Sequence, residues 1–242
     1  MRGVILAGGL GTRLYPLTFA TNKHLLPIFD QPMVFYPIKT LVKAGIKEVM
    51  LVVSGPHSGH FVNVLKNGKE LGLKYLEYGY QNDAIGGIAD ALSICEDFAD
   101  GEPIAVILGD NTTDADIGRS VKSFREGALV FLKKVSDPKR FGVPVFDKKD
   151  HKKIVSIEEK PKRPKSSFAV TGLYLYDNKV FSYIKKCKPS KRGQLEITDV
   201  NNFYIEAGKM CWKELKGFWS DAGTFESLFK ASKYWASKRG IK

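Results

Sequence analysis

Short, almost unbroken apolar runs recur through the first part of the chain, at residues 3–7, 48–53, 74–79, 104–108 and 128–135, with helix-period stretches between them. A strand wetted on one face alternates apolar and polar residues, whereas a strand covered on both faces does not. The pattern therefore predicts a sheet sandwiched between helical layers. Helical spacing is read over residues 33–43, 60–71, 87–98 and 117–125. A strand–helix–strand order of this kind gives an α/β fold with a doubly wound, mostly parallel sheet. In such sheets ligands sit beyond the carboxyl ends of the strands.

Past residue 135 the texture changes. β-rich runs at 143–147, 153–158 and 170–176 are separated by basic loops and predict an additional small antiparallel or mixed β layer. Two helical stretches follow at 179–186 and 197–207, and Phe225, Leu228, Phe229, Ser232 and Trp235 set a closing helix. The loop 160–167 carries two prolines and four basic residues, but β runs flank it, so it reads as an insertion within one domain spanning residues 1–242.

Composition narrows the function classes. With 43% apolar residues among 242 the chain can bury a core, and no apolar run approaches the roughly 20 residues a bilayer span needs. A cytoplasmic protein without a membrane partner is expected. Cys95, Cys187 and Cys211 lie far apart with no metal-ligand spacing, and Cys95 shares a helical face with Ile88, Ala91, Leu92 and Phe98, so it reads as a small core residue.

Val4, Ile5, Leu6 and Ala7 run straight into Gly8, Gly9, Leu10, Gly11, Thr12 and Arg13. A glycine-rich turn at a strand end lets backbone N–H groups approach an anion, and Arg13 adds a fork able to grip two phosphate oxygens. The same glycines also serve as simple turn residues. The loop is not a Walker A sequence, and Leu14 occupies the place of the third glycine of a dinucleotide fingerprint. Asp110 ends the 104–108 run and Asp221 precedes the last helix; a carboxylate beside a polyphosphate is a natural Mg²⁺ ligand, and each is equally suited to a turn or cap. Lys23, Lys160 and Arg192 stand out from the solvated lysines as candidates for a second phosphate.

Taken together and in order, residues 3–15, 23–37, 108–111, 137–143, 156–161, 169–177, 192–201 and 219–224 resemble the sugar-1-phosphate nucleotidyltransferase family, and within it the branch that transfers thymidylyl groups. The resemblance implies a Rossmann-like nucleotidyltransferase fold. It implies a nucleoside triphosphate bound over Leu6, Gly8, Gly9, Gly11, Thr12 and Arg13, with Gln81 reading the base, Gly86 or Gly87 beside base and sugar, and Asp110 near the phosphates. Asp110 and Asp221 match the family's Mg²⁺ pair. Gly142, Glu159 and Val170 stand where the hexose is held, Lys160 and Arg192 match the sugar-phosphate clamp, and Lys23 lies between the two substrates. Residues 1–135 are then a nucleotide-binding half and 136–242 a sugar-phosphate-binding half.

The implied reaction is nucleotidyl transfer from a nucleoside triphosphate, dTTP in the first instance, to a hexose 1-phosphate, glucose 1-phosphate in the first instance, with release of pyrophosphate. Arg13, Lys23 and Lys160 are the expected catalytic cations. The sequence departs from the family pattern at His24, where glutamine is usual, at Leu10 and at Ala222, and the run 82–87 is one residue longer and lacks prolines. The C-terminal extension of longer members is absent, so their regulatory site and assembly are not carried over, although a homo-oligomer remains compatible. Uridylyl, guanylyl and cytidylyl transfer are the alternatives within the family. The formal charge of +12 and the basic residues Lys133, Lys134, Lys139, Arg140, Lys162, Arg163 and Lys165 raise a nucleic-acid-binding reading, disfavoured because no aromatic-interleaved motif or reading helix accompanies them. An NAD-type oxidoreductase is disfavoured by the missing third glycine.

Overall fold

The apolar runs become the strands of one seven-stranded sheet in a computed structural model that describes residues 1–241. Along the chain the strands are β1 (Arg2–Ala7), the short pair β2 (Pro27–Ile28) and β3 (Gln31–Pro32), β4 (Glu48–Val53), β5 (Tyr75–Tyr80), β6 (Ile104–Leu108) and β7 (Asn111–Thr113). They continue as β8 (Ala128–Lys134), β9 (Gly142–Phe146), β10 (Ile154–Glu159), β11 (Phe168–Tyr176), β12 (Met210–Glu214) and β13 (Trp219–Asp221). The helices are α1 (Phe35–Lys43), α2 (Gly59–Leu65), α3 (Ile88–Ser93), α4 (Glu96–Ala99), α5 (Gly118–Ser123), α6 (Lys179–Ile184), α7 (Ile197–Glu206) and α8 (Phe225–Lys238).

The large sheet has the order β12-β8-β11-β6-β1-β4-β5. β11 runs antiparallel to both its neighbours, and every other pairing in the sheet is parallel. Its two faces bury separate cores. Val4, Leu6, Met50, Val52, Ile104 and Val106 pack on one side; Ile5, Ala7, Leu51, Val53, Ala105 and Ile107 pack on the other. Successive residues of a strand point to opposite faces, so a sheet covered on both sides needs apolar residues at every position.

The region after residue 135 divides. β9 and β10 form the expected small antiparallel ribbon, but β11 and β12 return to the main sheet. β11 is buried along almost its whole length, as a strand flanked on both edges and both faces must be. The expected helix over 60–71 ends at Leu65, where Lys66 and Gly68 take left-handed φ values and a Cβ at Gly68 would lie 2.7 Å from Leu73. The stretch 87–98 breaks into α3 and α4 around Cys95, which is fully buried, its thiol pushed up to about 12 by burial. α8 begins at Thr224, whose side chain and Ser227 form a reciprocal capping box. Among the described residues no helix is long and apolar enough to cross a membrane.

Because β1, β4, β5 and β6 are parallel, their carboxyl ends share one edge of the sheet. That edge carries Gly8 and Gly9 after β1, Ser54 after β4, Gln81 after β5, and Gly109 and Asp110 after β6.

Candidate active site

The glycine turn is built for close approach. Gly9 adopts φ +94 and Gly11 φ +66, conformations that a side chain opposes, and the Gly9 N–H donates to Ser54 Oγ at 2.9 Å. A Cβ on Gly8 would lie 2.9 Å from Gln81 Oε1 and 3.0 Å from Ser54 Oγ. The turn continues into a 3₁₀ segment over Thr12–Leu14, locked by Thr18 Oγ1 donating to Gly11 C=O at 2.9 Å.

Two pairings bring the aspartates together. Asp110 lies between β6 and β7, and β13 pairs antiparallel with β7 so that Asp221 stands opposite Asn111. The N–H of Ala222 donates to Asp110 C=O at 2.8 Å. A Cβ on Gly223 would sit 3.5 Å from Asp110 Oδ2, 3.6 Å from Asp221 Oδ2 and 3.1 Å from an Arg13 guanidinium nitrogen. Both carboxylates and Arg13 thus converge on one point, and only glycine leaves it clear.

Their electrostatics differ. Burial would raise the Asp110 pKa, but the Lys23 ammonium at 2.6 Å and the Asn111 amide hold the carboxyl well below the usual range. Asp221 is raised to about 6, first by burial and then by the charge of Asp110; Arg140, donating to Asp221 Oδ2 at 2.9 Å, opposes the rise without cancelling it. His24 is buried, lies under Gly109 and bonds the Asn22 side-chain oxygen Oδ1 through Nδ1 at 2.8 Å. Burial, and then the Lys23 charge, lower it to about 3, so it is neutral at physiological pH.

A second group of side chains faces this one. Gly142 and Glu159 are paired residues of the β9–β10 ribbon. Glu159 accepts from Thr198 Oγ1 at 2.7 Å and lies 3.4 Å from Lys160 Nζ and 3.5 Å from Arg192. Lys160 has φ +45, a strained conformation for a lysine, and its N–H donates to Phe141 C=O at 3.0 Å. Arg192 also grips Glu196 at 2.9 and 3.0 Å. Val170 and Gly172 lie where the pairing of β11 with β8 is irregular.

A single cavity of about 650 Å³ joins the two groups. Leu6, Gly8, Gly9, Thr12, Arg13, Lys23, Gln81, Gly87 and Asp110 line it from the parallel strands, and Gly142, Glu159, Lys160, Val170, Arg192 and Asp221 from the later elements. Two expected residues lie behind its wall. Gly11 packs against Thr18 and Lys23, and Gly86 is buried against Asp90 and accepts from the Leu195 N–H at 2.8 Å. Arg140, Asn111, Thr198 and Glu196 were missed as site residues by the sequence reading and line the cavity. Arg140 carried one signal: the Asp137–Pro138 turn before it, in which Asp137 caps the Lys139 N–H, fixes where it points.

Among the described residues there is no group of three or more His, Cys, Asp or Glu side chains able to hold a metal. The available donor set is the aspartate pair, two hard oxygen ligands sharing one point. This suits a divalent cation that completes its shell with water and phosphate oxygens, and does not suit zinc.

The family model described as Nucleotidyl transferase matches residues 2–238. The glucose-1-phosphate thymidylyltransferase of Neisseria meningitidis serogroup A is 41% identical over 240 residues, covering 97% of this chain and 82% of that protein. The enzyme of the same name from Mycolicibacterium smegmatis is 42% identical, with the same coverages. A Bacillus anthracis crystal structure provisionally assigned the same activity, in complex with sucrose, superposes with a TM-score of 0.90 at 49% identity, over 97% of this chain and 94% of that one. Apo UDP-glucose pyrophosphorylase shares the fold, with a TM-score of 0.85 at 23% identity and 99% coverage of each chain.

Proposed function

This chain belongs to the nucleotidyl transferase family, and from that footing we propose that it transfers a thymidylyl group from dTTP to glucose 1-phosphate, forming a nucleotide sugar and pyrophosphate. The observation that carries the proposal is the single cavity in which a glycine turn, two converging aspartates and two cation-bearing loops face one another. The names of relatives at 41–42% identity supply the substrates.

The chemistry asks little covalent help of the protein. A phosphate monoester has a second pKa of about 6, so the sugar phosphate arrives largely as a dianion and needs no general base. One of its oxygens attacks the α-phosphorus; the new O–Pα bond forms as the bond to the β-phosphate oxygen breaks, and pyrophosphate leaves with the electron pair. The obstacle is that two anions must meet, so catalysis reduces to orientation and charge neutralisation. Residues 1–135 would hold the nucleotide and residues 136–242 the sugar phosphate. Gly8 and Gly9 would let the backbone approach the triphosphate, and Arg13 would take the β- and γ-phosphates that become the leaving group. Lys23 would stand at the α-phosphate between donor and acceptor. Lys160 and Arg192 would bind the acceptor phosphate, with Glu159 and the backbone around Gly142 and Val170 on the hexose.

Asp110 and Asp221 would hold Mg²⁺, which when bound supplies charge neutralisation at the triphosphate. Lys23 and Arg140, which pair with these carboxylates at 2.6 and 2.9 Å, would then be free to turn toward phosphate.

The test is pyrophosphate release from dTTP with Mg²⁺, with glucose 1-phosphate present or omitted, and again in EDTA. Release that depends on both additions supports the proposal. Release without the sugar phosphate, or none with any nucleoside triphosphate and hexose 1-phosphate, overturns it.

A further inference from the structure

Gln81 directly follows β5 and is 3% exposed. Its Nε2 donates to Asp90 Oδ2 at 2.8 Å and to the Gly87 C=O at 3.2 Å. Both partners are oxygen acceptors. Turning the amide over would set oxygen against oxygen at both contacts, so chemistry alone fixes which end faces which way. The opposite end, Oε1, is directed toward Gly8 and forms no hydrogen bond among the described residues. The amide therefore offers the cavity one acceptor and withholds its donors.

Asp90 is built into this arrangement. It lies in the first turn of α3, next to Gly86, where a Cβ would come 2.5 Å from Asp90 Oδ2. Only glycine at 86 leaves that oxygen its place.

We propose that Asp90 is a positioning residue that holds Gln81 as an acceptor toward the base, selecting a pyrimidine with an N3–H, thymine or uracil, over cytosine. The inference rests on the nucleotidyl-transfer reading above and adds a determinant of its substrate class. An imide N3–H satisfies Oε1, whereas cytosine turns the N3 lone pair toward it and leaves a buried acceptor facing an acceptor, which is how a polar pocket rejects a near-isostere.

The experiment compares kcat/KM for dUTP and dCTP, which share a sugar, lack the 5-methyl group and differ only along the base edge. Asp90→Asn keeps an acceptor of the same volume; Asp90→Leu keeps the branched shape and removes the acceptor. The dUTP:dCTP ratio is expected to stay within about twofold in Asp90→Asn and to fall about tenfold in Asp90→Leu, the scale of one hydrogen bond. In a Gln81→Leu background Asp90→Leu should change the ratio no further, because the effect runs through Gln81. Should Asp90→Leu fail to fold, Asp90→Ala takes its place. A merely structural role lowers both nucleotides equally, and an unchanged ratio with active wild type overturns this inference alone. Absence of transfer by the wild type overturns the functional reading, and this inference with it.

Discussion

Replacing Asp221 with asparagine should make the metal-free protein more stable while removing most of its turnover. In the folded chain Asp221 has its pKa raised from 3.8 to about 6, by burial and by the charge of Asp110. Its side chain is only 18% exposed, so solvent screens little of this. A rise of about 2 units at about 1.4 kcal/mol each corresponds to about 3 kcal/mol. The sign follows from proton counting. Between pH 3.8 and about 6 the folded chain binds the Asp221 proton more tightly than the unfolded chain does, so stability falls as pH rises through that window. Above it the full cost of the buried carboxylate is present. Asparagine does not ionise and escapes that cost. Arg140 loses its partner, but its attraction is already contained in the value of about 6, and at 38% exposed it retains water. Urea denaturation in EDTA should therefore show Asp221→Asn more stable than wild type by about 3 kcal/mol at pH 7.5, with the gap closing toward pH 4. A variant no more stable at pH 7.5, or a gap that persists at pH 4, refutes the account of Asp221 as an anion whose burial the Arg140 pair does not offset.

Arg192→Ala should chiefly raise the KM for sugar phosphate, with a loss of about 1.5–3 kcal/mol, one to two decades in kcat/KM; steady-state kinetics in which only the nucleotide KM moves would reassign it. Arg140→Ala leaves Asp221 without its cation, so Mn²⁺ should bind the nucleotide-free protein more tightly than it binds wild type; equal affinity by electron paramagnetic resonance contradicts the competition. His24, lowered from 6.5 to about 3, makes the fold lose stability as pH falls through that interval, because the unfolded imidazole takes a proton that the folded one refuses. His24→Gln should remove up to about 1.4 kcal/mol per pH unit of that slope, and an acid-unfolding curve superposable on wild type counts against it.

The parallel core was legible because burial on both faces leaves a direct trace: residues 48–53 and 104–108 were delimited as the structure has them, and the carboxyl edge followed from their direction. β12 and β13 left no such trace. Met210–Glu214 is an edge strand with Cys211, Lys213 and Glu214 exposed, and Trp219–Asp221 has three residues. That second omission hid how Asp221 reaches Asp110, because their meeting depends on the register of β13 against β7, across more than a hundred residues of chain. Arg140 was grouped with surface basic residues for a related reason: its partner, Asp221, is equally remote in sequence. Asp90 had no pattern at all, since on α3 it occupies an ordinary polar position and becomes particular only through the amide of Gln81.

The charges of the site point to how it tells its substrates from other anions. Lys23 is paired with Asp110, Arg140 with Asp221, Lys160 with Glu159 and Arg192 with Glu196, while Arg13 forms no ion pair among the described residues. An anion that drew Lys23 or Arg140 from its carboxylate would leave that carboxylate buried without a partner, a costly exchange in a partly desolvated site, whereas Arg13 is open to an anion without that exchange. A triphosphate arriving with a divalent ion would bring both signs at once: phosphate oxygens for Lys23 and Arg140, and a cation for Asp110 and Asp221. On the proposed function, each of these two ion pairs broken would be replaced by another, so the pairing of Lys23 and Arg140 would favour the metal–nucleotide complex over free phosphate at those two cations. The overall charge of +12 then bears on the approach of that complex, through long-range attraction that salt screens, and not on the discrimination.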